Sequence, residues 1–133
     1  MSTAHSVSGR VLIIDDEPSL CRLLMRCLRQ RHEVCAVSGG EEAIRLLLAD
    51  PHYDVILCDV MMPVGAEEVY RTVTSIHPNL AERFVFLSGA AFAPEARAFL
   101  DGLPNLRIDK PFDVNELVHL VGELVEERSQ SRT

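Results

Sequence analysis

The 133-residue sequence contains no apolar run close to the roughly 20 residues that a membrane-spanning helix requires. Residues 1–9 are polar and lack the apolar segment of a signal peptide. The four cysteines show neither Cys-x-x-Cys nor metal-ligand spacing, so we expect them to be small buried residues in a reducing compartment. These shortages predict a cytoplasmic protein without membrane insertion.

Basic residues are also scarce, with 13 Lys and Arg against 20 Asp and Glu and a formal net charge of −7. Non-specific binding to nucleic acid and to anionic lipid both depend on Lys and Arg. The composition therefore argues against direct nucleic-acid binding and against electrostatic attachment to a membrane. The length and the 47% apolar content fit one globular domain.

Five short, strand-like segments alternate with five helical patterns along the chain. The predicted strands cover residues 10–14, 33–37, 55–58, 83–87 and 106–109. Such alternation predicts a parallel sheet with helices on both faces. We expect a flavodoxin-like, doubly wound five-stranded sheet in the order 2-1-3-4-5, with five helices. The domain should cover residues 10–127, with residues 1–9 and 128–133 as disordered tails.

Charged or hydroxyl side chains follow four of these strands: Asp15 and Asp16, Asp59, Ser88, and Lys110. Right-handed crossovers bring the carboxyl ends of parallel strands to one edge of the sheet, which is where such sheets bind ligands. An aspartate that follows a strand is often an ordinary loop residue. Four coincidences at four strand ends favour a functional site instead.

Three carboxylates held together repel one another unless a cation or a proton intervenes. Oxygen ligands without Cys or His favour Mg²⁺-type ions. Lys110 adds a positive charge and Ser88 adds a hydroxyl donor. This combination suits phosphoryl transfer to Asp59, whose ionised carboxylate needs no general base.

Four motifs carry these residues: Ile-Ile-Asp-Asp-Glu-Pro, Cys-Asp-Val-Met-Met-Pro, Leu-Ser-Gly and Asp-Lys-Pro-Phe. In this order and spacing they resemble the receiver domains of two-component response regulators. The resemblance covers about residues 11–125. It implies a signalling switch rather than an enzyme, one that assists its own phosphorylation and slow dephosphorylation.

The resemblance also implies roles for individual residues. Asp59 would accept a phosphoryl group from a histidine kinase or a phosphotransfer protein, and Ser88 and Lys110 would contact that group. The implied Mg²⁺ ligands are Asp15, Asp16, Asp59 and the backbone carbonyl of Met61. A cis peptide bond is implied between Lys110 and the proline after it, and a weak homodimer is a further expectation. The segment 84–112, with Ala91-Phe92 and Leu103-Pro104-Asn105, is similar to C-terminal receivers of hybrid sensor kinases.

Three positions depart from the family pattern. The family pattern after the strand is Met-Pro-x-x-x-Gly, whereas here the glycine is Gly65 and the spacing is shorter, which predicts a reshaped loop. The position of the family's switch aromatic is Arg107, which we expect at the surface near an acidic group. Gly89 follows Ser88 where alanine is common, which predicts more open access to the phosphoryl group.

The lifetime of the phosphorylated state depends on how a water is placed in line with the aspartyl–phosphorus bond. In the family, the flanking positions correspond to Met61 and Ala90. Neither side chain can orient a water through a strong hydrogen bond. We therefore predict slow self-dephosphorylation.

Two other functions compete with this interpretation. The first is a receiver-fold interaction module that acts without phosphorylation, for which Arg107 leaves some room. The second is a small flavin- or nucleotide-binding protein of the same architecture. Gly39-Gly40 is a weak phosphate-loop signal because it lacks the Gly-x-Gly-x-x-Gly and Walker patterns. Visible absorbance would reveal a flavin.

Overall fold

The computed structural model describes residues 7–89 and 94–131. Within these ranges the strands are β1 (Arg10–Ile14), β2 (Glu33–Val37), β3 (Val55–Asp59), β4 (Phe84–Ser88) and β5 (Arg107–Asp109). The α-helices are α1 (Pro18–Leu28), α2 (Gly40–Ala49), α3 (Ala66–Ile76), α4 (Pro94–Asp101) and α5 (Val114–Ser131). A 3-10 helix, Pro78–Arg83, lies between α3 and β4.

The strands form one sheet in the order β2-β1-β3-β4-β5, and every pair of neighbours is parallel. This confirms the predicted flavodoxin-like α/β fold. Parallel neighbours cannot be joined by a tight turn, so each connection crosses a face of the sheet and carries a helix. The carboxyl ends of all five strands consequently lie at one edge.

The central strand β3 is buried on both faces, which explains its unbroken apolar run. Ile56 and Cys58 belong to the core layer under α2, α3 and α4. Val55 and Leu57 belong to the opposite layer, under α1 and α5. The period of two along the strand thus divides the core into two layers and leaves Asp59 at the end of the strand.

The 3-10 helix was not predicted, and it moves the start of the fourth strand from residue 83 to Phe84. Arg83 ends this helix and donates from Nη1 to the carbonyl oxygen of Tyr53 at 2.8 Å. Its guanidinium also lies 3.8 Å from Asp54 Oδ1. These contacts hold the end of the 3-10 helix against the amino-terminal edge of the sheet.

Packing extends beyond both predicted domain boundaries. The amide of Gly9 donates to His32 Nδ1 at 3.1 Å, and a Cβ at Gly9 would lie only 2.6 Å from a methyl carbon of Val125. At the other end, Arg128 donates to the carbonyl oxygens of Asp54 and Glu82, at 3.2 and 2.7 Å, which anchors the last turns of α5. Residues 1–6 and 132–133 lie outside the described ranges, so the tails remain predictions.

The burial of β3 generates a stability prediction. Leu57 is fully buried, so Leu57→Ala should lower the free energy of unfolding by about 2–5 kcal/mol, through lost burial and the cavity that remains. Leu48 on α2 is 38% exposed, and Leu48→Ala should change stability by less than about 0.5 kcal/mol. Urea denaturation of both variants measures the difference. Equal losses would contradict the assignment of Leu57 to the core.

Candidate functional site

The structure brings the predicted acidic residues to the carboxyl edge of the sheet. Asp15 and Asp16 directly follow β1, and Asp59 is the last residue of the neighbouring β3. One carboxylate oxygen from each of the three lies within 4.8 Å of the others. Asp15 and Asp59 are buried, whereas Asp16 is exposed. The expected meeting of these side chains is therefore confirmed, while their roles stay predictions.

Lys110 is the cation that faces this cluster. Its Nζ lies 2.8 Å from Asp15 Oδ2 and 3.5 Å from Asp59 Oδ1. Burial alone would lower the pKa of Lys110, but the hydrogen bond with Asp15 and the charge of Asp59 outweigh burial and raise it. The ammonium group is therefore held in its charged form. The peptide bond between Lys110 and Pro111 is cis, as the resemblance implied.

Asp59 experiences opposing influences. Burial raises the pKa of its carboxyl group, and the charge of Asp15 adds to this effect. Lys110 and the amide of Met61 lower the pKa, and that amide donates to Asp59 Oδ1 at 3.3 Å. The net pKa is above the ordinary value, so the ionised side chain is disfavoured in the folded protein. A group that neutralises its charge would remove this penalty.

Two cysteines lie next to the cluster without adding charge to it. Cys58 is fully buried, and burial raises the pKa of its thiol. Burial also raises the pKa of the Cys21 thiol, and the charge of Asp15 raises it further. This thiol donates to the Asp15 carbonyl oxygen at 3.2 Å. Both thiols are therefore neutral. The predicted burial holds for Cys58, whereas Cys21, Cys27 and Cys35 are partly exposed.

Ser88 ends β4, and its hydroxyl group donates to Asp109 Oδ1 at 2.9 Å. No role was assigned to Asp109 from the sequence, because only Lys110 was singled out in the motif Asp-Lys-Pro-Phe. The available signal was the final position of β5, which pairs with the final position of β4 in the parallel register. Among the described residues, no atom lies within 4 Å of where a Cβ at Gly89 would lie. Residues 90–93 lie outside the described ranges, so more open access beside Ser88 stays a prediction.

Arg107, at the position of the family's aromatic residue, is exposed as predicted. Its Nη2 lies 2.6 Å from Asp101 Oδ1 at the end of α4, which supplies the expected acidic partner. The aromatic side chains near this end of the sheet lie in the core instead, where Phe86 packs edge-on to Phe99 with ring centroids 5.8 Å apart. An arginine that pairs with α4 thus occupies the position where the family pattern has an aromatic residue.

Two other predicted features give mixed results. Met61 is 46% exposed, and its amide contacts Asp59. Ala90 and the Ala91-Phe92 pair lie outside the described residues.

In the loop after Pro63, Val64 packs against Gly40, where a Cβ would lie 2.4 Å from the Val64 carbonyl oxygen. The altered glycine spacing of this loop remains a sequence observation.

The donor set fits a hard divalent cation. The cluster offers only carboxylate oxygens, and two of its three members are buried at the carboxyl ends of strands. Mg²⁺ prefers one or two carboxylates with waters and phosphate oxygens, so a site with an exposed side suits it. Lys110 supplies one positive charge against three negative ones. The remaining charge favours binding a cation.

A sequence model described as the response regulator receiver domain matches residues 11–122. With the parallel sheet and the acidic cluster, this match places the chain in the receiver domain family. Receiver domains are signalling switches of two-component systems and receive phosphoryl groups from histidine kinases. The chain belongs to this family.

Individual relatives agree with this placement. The chain is 28% identical to the sensor kinase CckA of Brucella abortus over 130 residues, which cover 96% of this chain and 14% of that protein. It is 30% identical to the transcriptional regulatory protein TcrA of Mycobacterium tuberculosis, over 84% of this chain and 44% of that protein. The chain thus spans less than half the length of these relatives.

Among solved structures, a response regulator receiver protein from Sinorhizobium medicae is 29% identical, with a TM-score of 0.73. The match covers 91% of this chain and 97% of that one.

None of the helices among the described residues has the length and the apolar character that a membrane span requires.

The raised pKa of Asp59 generates a pH-dependent prediction. At neutral pH the Asp59 carboxyl group is ionised in both the folded and the unfolded chain. Only in the folded chain do burial and the charge of Asp15 disfavour the ionised form, which lowers the free energy of unfolding. Asp59→Asn should therefore raise the free energy of unfolding at neutral pH in the absence of divalent cations. As the pH falls below the ordinary value of about 4, both states bind the proton and the gain should disappear.

Thermal melting between pH 3.5 and 7.5 measures this dependence. Glu82→Gln is the control, because Glu82 is an exposed acid at the opposite edge of the sheet. A gain in Asp59→Asn that is independent of pH would contradict the account.

Proposed function

We propose that Asp59 accepts a phosphoryl group from a phosphohistidine of a histidine kinase or phosphotransfer protein, in a reaction that uses Mg²⁺. The observation that supports this most directly is the environment of its carboxylate. It is buried at the end of the central strand, beside Asp15, and its Oδ1 lies 3.5 Å from Lys110 Nζ. A carboxylate so placed is a nucleophile with a cation next to it.

In this reaction an Asp59 carboxylate oxygen attacks the phosphorus atom. A phosphorus–oxygen bond forms, and the phosphorus–nitrogen bond to the donor histidine breaks. The bonding electron pair leaves with the imidazole. Lys110 favours the ionised, nucleophilic form of Asp59 because its charge lowers the pKa of that carboxyl group. No general base is required.

Lys110 also has a role after transfer. It hydrogen-bonds to Asp15 and lies further from Asp59, at 2.8 and 3.5 Å. A phosphoryl group on Asp59 adds negative charge at the more distant of its two partners. We infer that the ammonium group then contacts a phosphoryl oxygen as a point charge, as lysine commonly does with phosphate.

The cluster would hold Mg²⁺ through the carboxylates of Asp15, Asp16 and Asp59, and through the Met61 carbonyl that the family resemblance adds. When bound, the ion neutralises charge on the phosphoryl oxygens. Asp16 is the exposed member, so it is the ligand most accessible to an entering hydrated ion. Asp15 is fixed in place because its carboxylate accepts from Lys110 and from the amide of Glu17.

The partners follow from the proposed chemistry. The similarity to CckA and to TcrA, one a sensor kinase and the other a transcriptional regulator, is compatible with either a receiver within a hybrid kinase or one within a separate regulator. A phosphohistidine donor is common to both arrangements. We also retain slow self-dephosphorylation as a proposal, because Met61 is apolar and partly exposed beside Asp59.

The test is phosphorylation by a small donor such as acetyl phosphate, followed by intact-mass spectrometry. The wild-type protein should gain one phosphoryl group in Mg²⁺, and Asp59→Asn should gain none, because the nucleophile is absent. Excess EDTA should slow the reaction of the wild type at least about tenfold, by removing the charge neutralisation that the ion supplies.

An unchanged adduct in Asp59→Asn would disprove the acceptor assignment. A rate unaffected by EDTA would disprove the role of the metal. A wild-type protein that takes up no phosphoryl group would favour the interaction module that acts without phosphorylation.

A further inference from the structure

The hydrogen bond between Ser88 and Asp109 links the candidate site to the edge of the sheet. The two residues are register partners at the ends of β4 and β5. Ser88 Oγ donates to Asp109 Oδ1 at 2.9 Å, and the amide of Lys110 donates to the Ser88 carbonyl oxygen at 2.8 Å. Ser88 is only 1% exposed, whereas Asp109 is exposed. Asp109 thus fixes the direction of a buried hydroxyl group.

A serine hydroxyl group has one hydrogen to donate. Under the function proposed above, the Ser88 hydroxyl donates to an oxygen of the phosphoryl group on Asp59. Carboxylate and phosphoryl oxygens are both anionic acceptors that form short, charge-assisted hydrogen bonds. The Asp109 carboxylate and the phosphoryl group therefore compete for the same hydrogen bond from the Ser88 hydroxyl group.

We propose that Asp109 is a positioning residue that holds the Ser88 hydroxyl in the unphosphorylated protein and competes with the phosphoryl group for it. This inference rests on the proposed phosphorylation of Asp59. Phosphorylation transfers the hydrogen bond from Asp109 to a phosphoryl oxygen, and no covalent bond changes in this exchange. The Asp109 carboxylate then loses Ser88 as its donor.

The exchange has a consequence on the surface of β5. Residues two apart on a strand project from the same face, so Asp109 and Arg107 lie on one side of the sheet. Arg107 pairs with Asp101 at the end of α4, at 2.6 Å. Its guanidinium has several N–H groups, and the released carboxylate is a further acceptor on the face of β5 that carries Arg107. Phosphorylation thereby changes the hydrogen bonding of β5 without a moving aromatic ring.

A double-mutant cycle tests the proposal with Asp109→Ala, Ser88→Ala and the double variant. Each protein is incubated with acetyl phosphate and Mg²⁺, and intact-mass spectrometry gives the steady-state ratio of phosphorylated to unphosphorylated chain. Asp109→Ala should raise this ratio about three- to tenfold, because the competing acceptor is gone. In the Ser88→Ala background, the same substitution should leave the ratio unchanged.

Removing Asp109 also removes a negative charge, and the cycle separates that effect. An equal rise in both backgrounds would overturn the proposal, because charge repulsion alone would then explain the rise. No rise in the wild-type background would overturn it as well. Asp109→Asn retains an oxygen acceptor but loses the charge, so its ratio should lie closer to wild type than that of Asp109→Ala. Equal ratios for the two variants would contradict the proposal.

The hydrogen bond can also be measured without any phosphodonor. The losses in melting temperature for Ser88→Ala and Asp109→Ala should not add in the double variant, since both remove the same bond. Additive losses would overturn the proposal.

Failure of the proposed function can be distinguished from failure of this inference. A wild-type protein that takes up no phosphoryl group would overturn the assignment of Asp59 and this inference with it. Phosphorylation that requires Asp59 but shows no coupling between Ser88 and Asp109 would overturn only the inference.

Discussion

The contact of Lys110 with Asp15 and Asp59 is the interaction on which the candidate site depends. One ammonium group, 2.8 Å from one carboxylate and 3.5 Å from the other, balances part of a cluster that contains three negative charges. Two of these carboxylates are buried, where unbalanced charge is costly. The arrangement is stable enough to fold and remains short of positive charge. That shortage makes the edge of the sheet receptive to a cation and to a phosphoryl group that a cation accompanies.

The parallel sheet makes this crowding possible. β1, β3, β4 and β5 end side by side, so residues that follow different strands meet without any local sequence relation. The apolar core beneath them supplies the stability that offsets the repulsion. β3 illustrates both roles, because four of its residues are buried apolar side chains and the fifth is Asp59. A site that destabilises its own fold is typical of function placed on a rigid scaffold.

Much of this arrangement could be predicted from the sequence, because it follows from rules that act over short segments. Short apolar segments predicted the strands, and their alternation with helices predicted a parallel sheet of flavodoxin-like order. The positions of Asp15, Asp59 and Lys110 directly after strands predicted their meeting. These inferences need only the identity of a residue and its place at the end of a strand.

Other features depend on distances between segments, which local patterns do not contain. The acceptor for the Ser88 hydroxyl is Asp109, and it is identified only by the register of β4 against β5. The 3-10 helix and the long α5 are stabilised by Arg83 and Arg128, which reach backbone carbonyl groups far along the chain. Partial exposure of Cys35 likewise follows from the edge position of β2.

The most direct test of the central claim is thermal melting as a function of MgCl₂, compared with NaCl at matched ionic strength. The account predicts that Mg²⁺ raises the melting temperature of the wild-type protein more than NaCl does, because an ion bound only by the folded state stabilises it. Asp59→Asn should show a smaller response to Mg²⁺, since its cluster has less charge to neutralise. Equal shifts with the two salts in the wild type would contradict the claim that the carboxylates form a specific cation site.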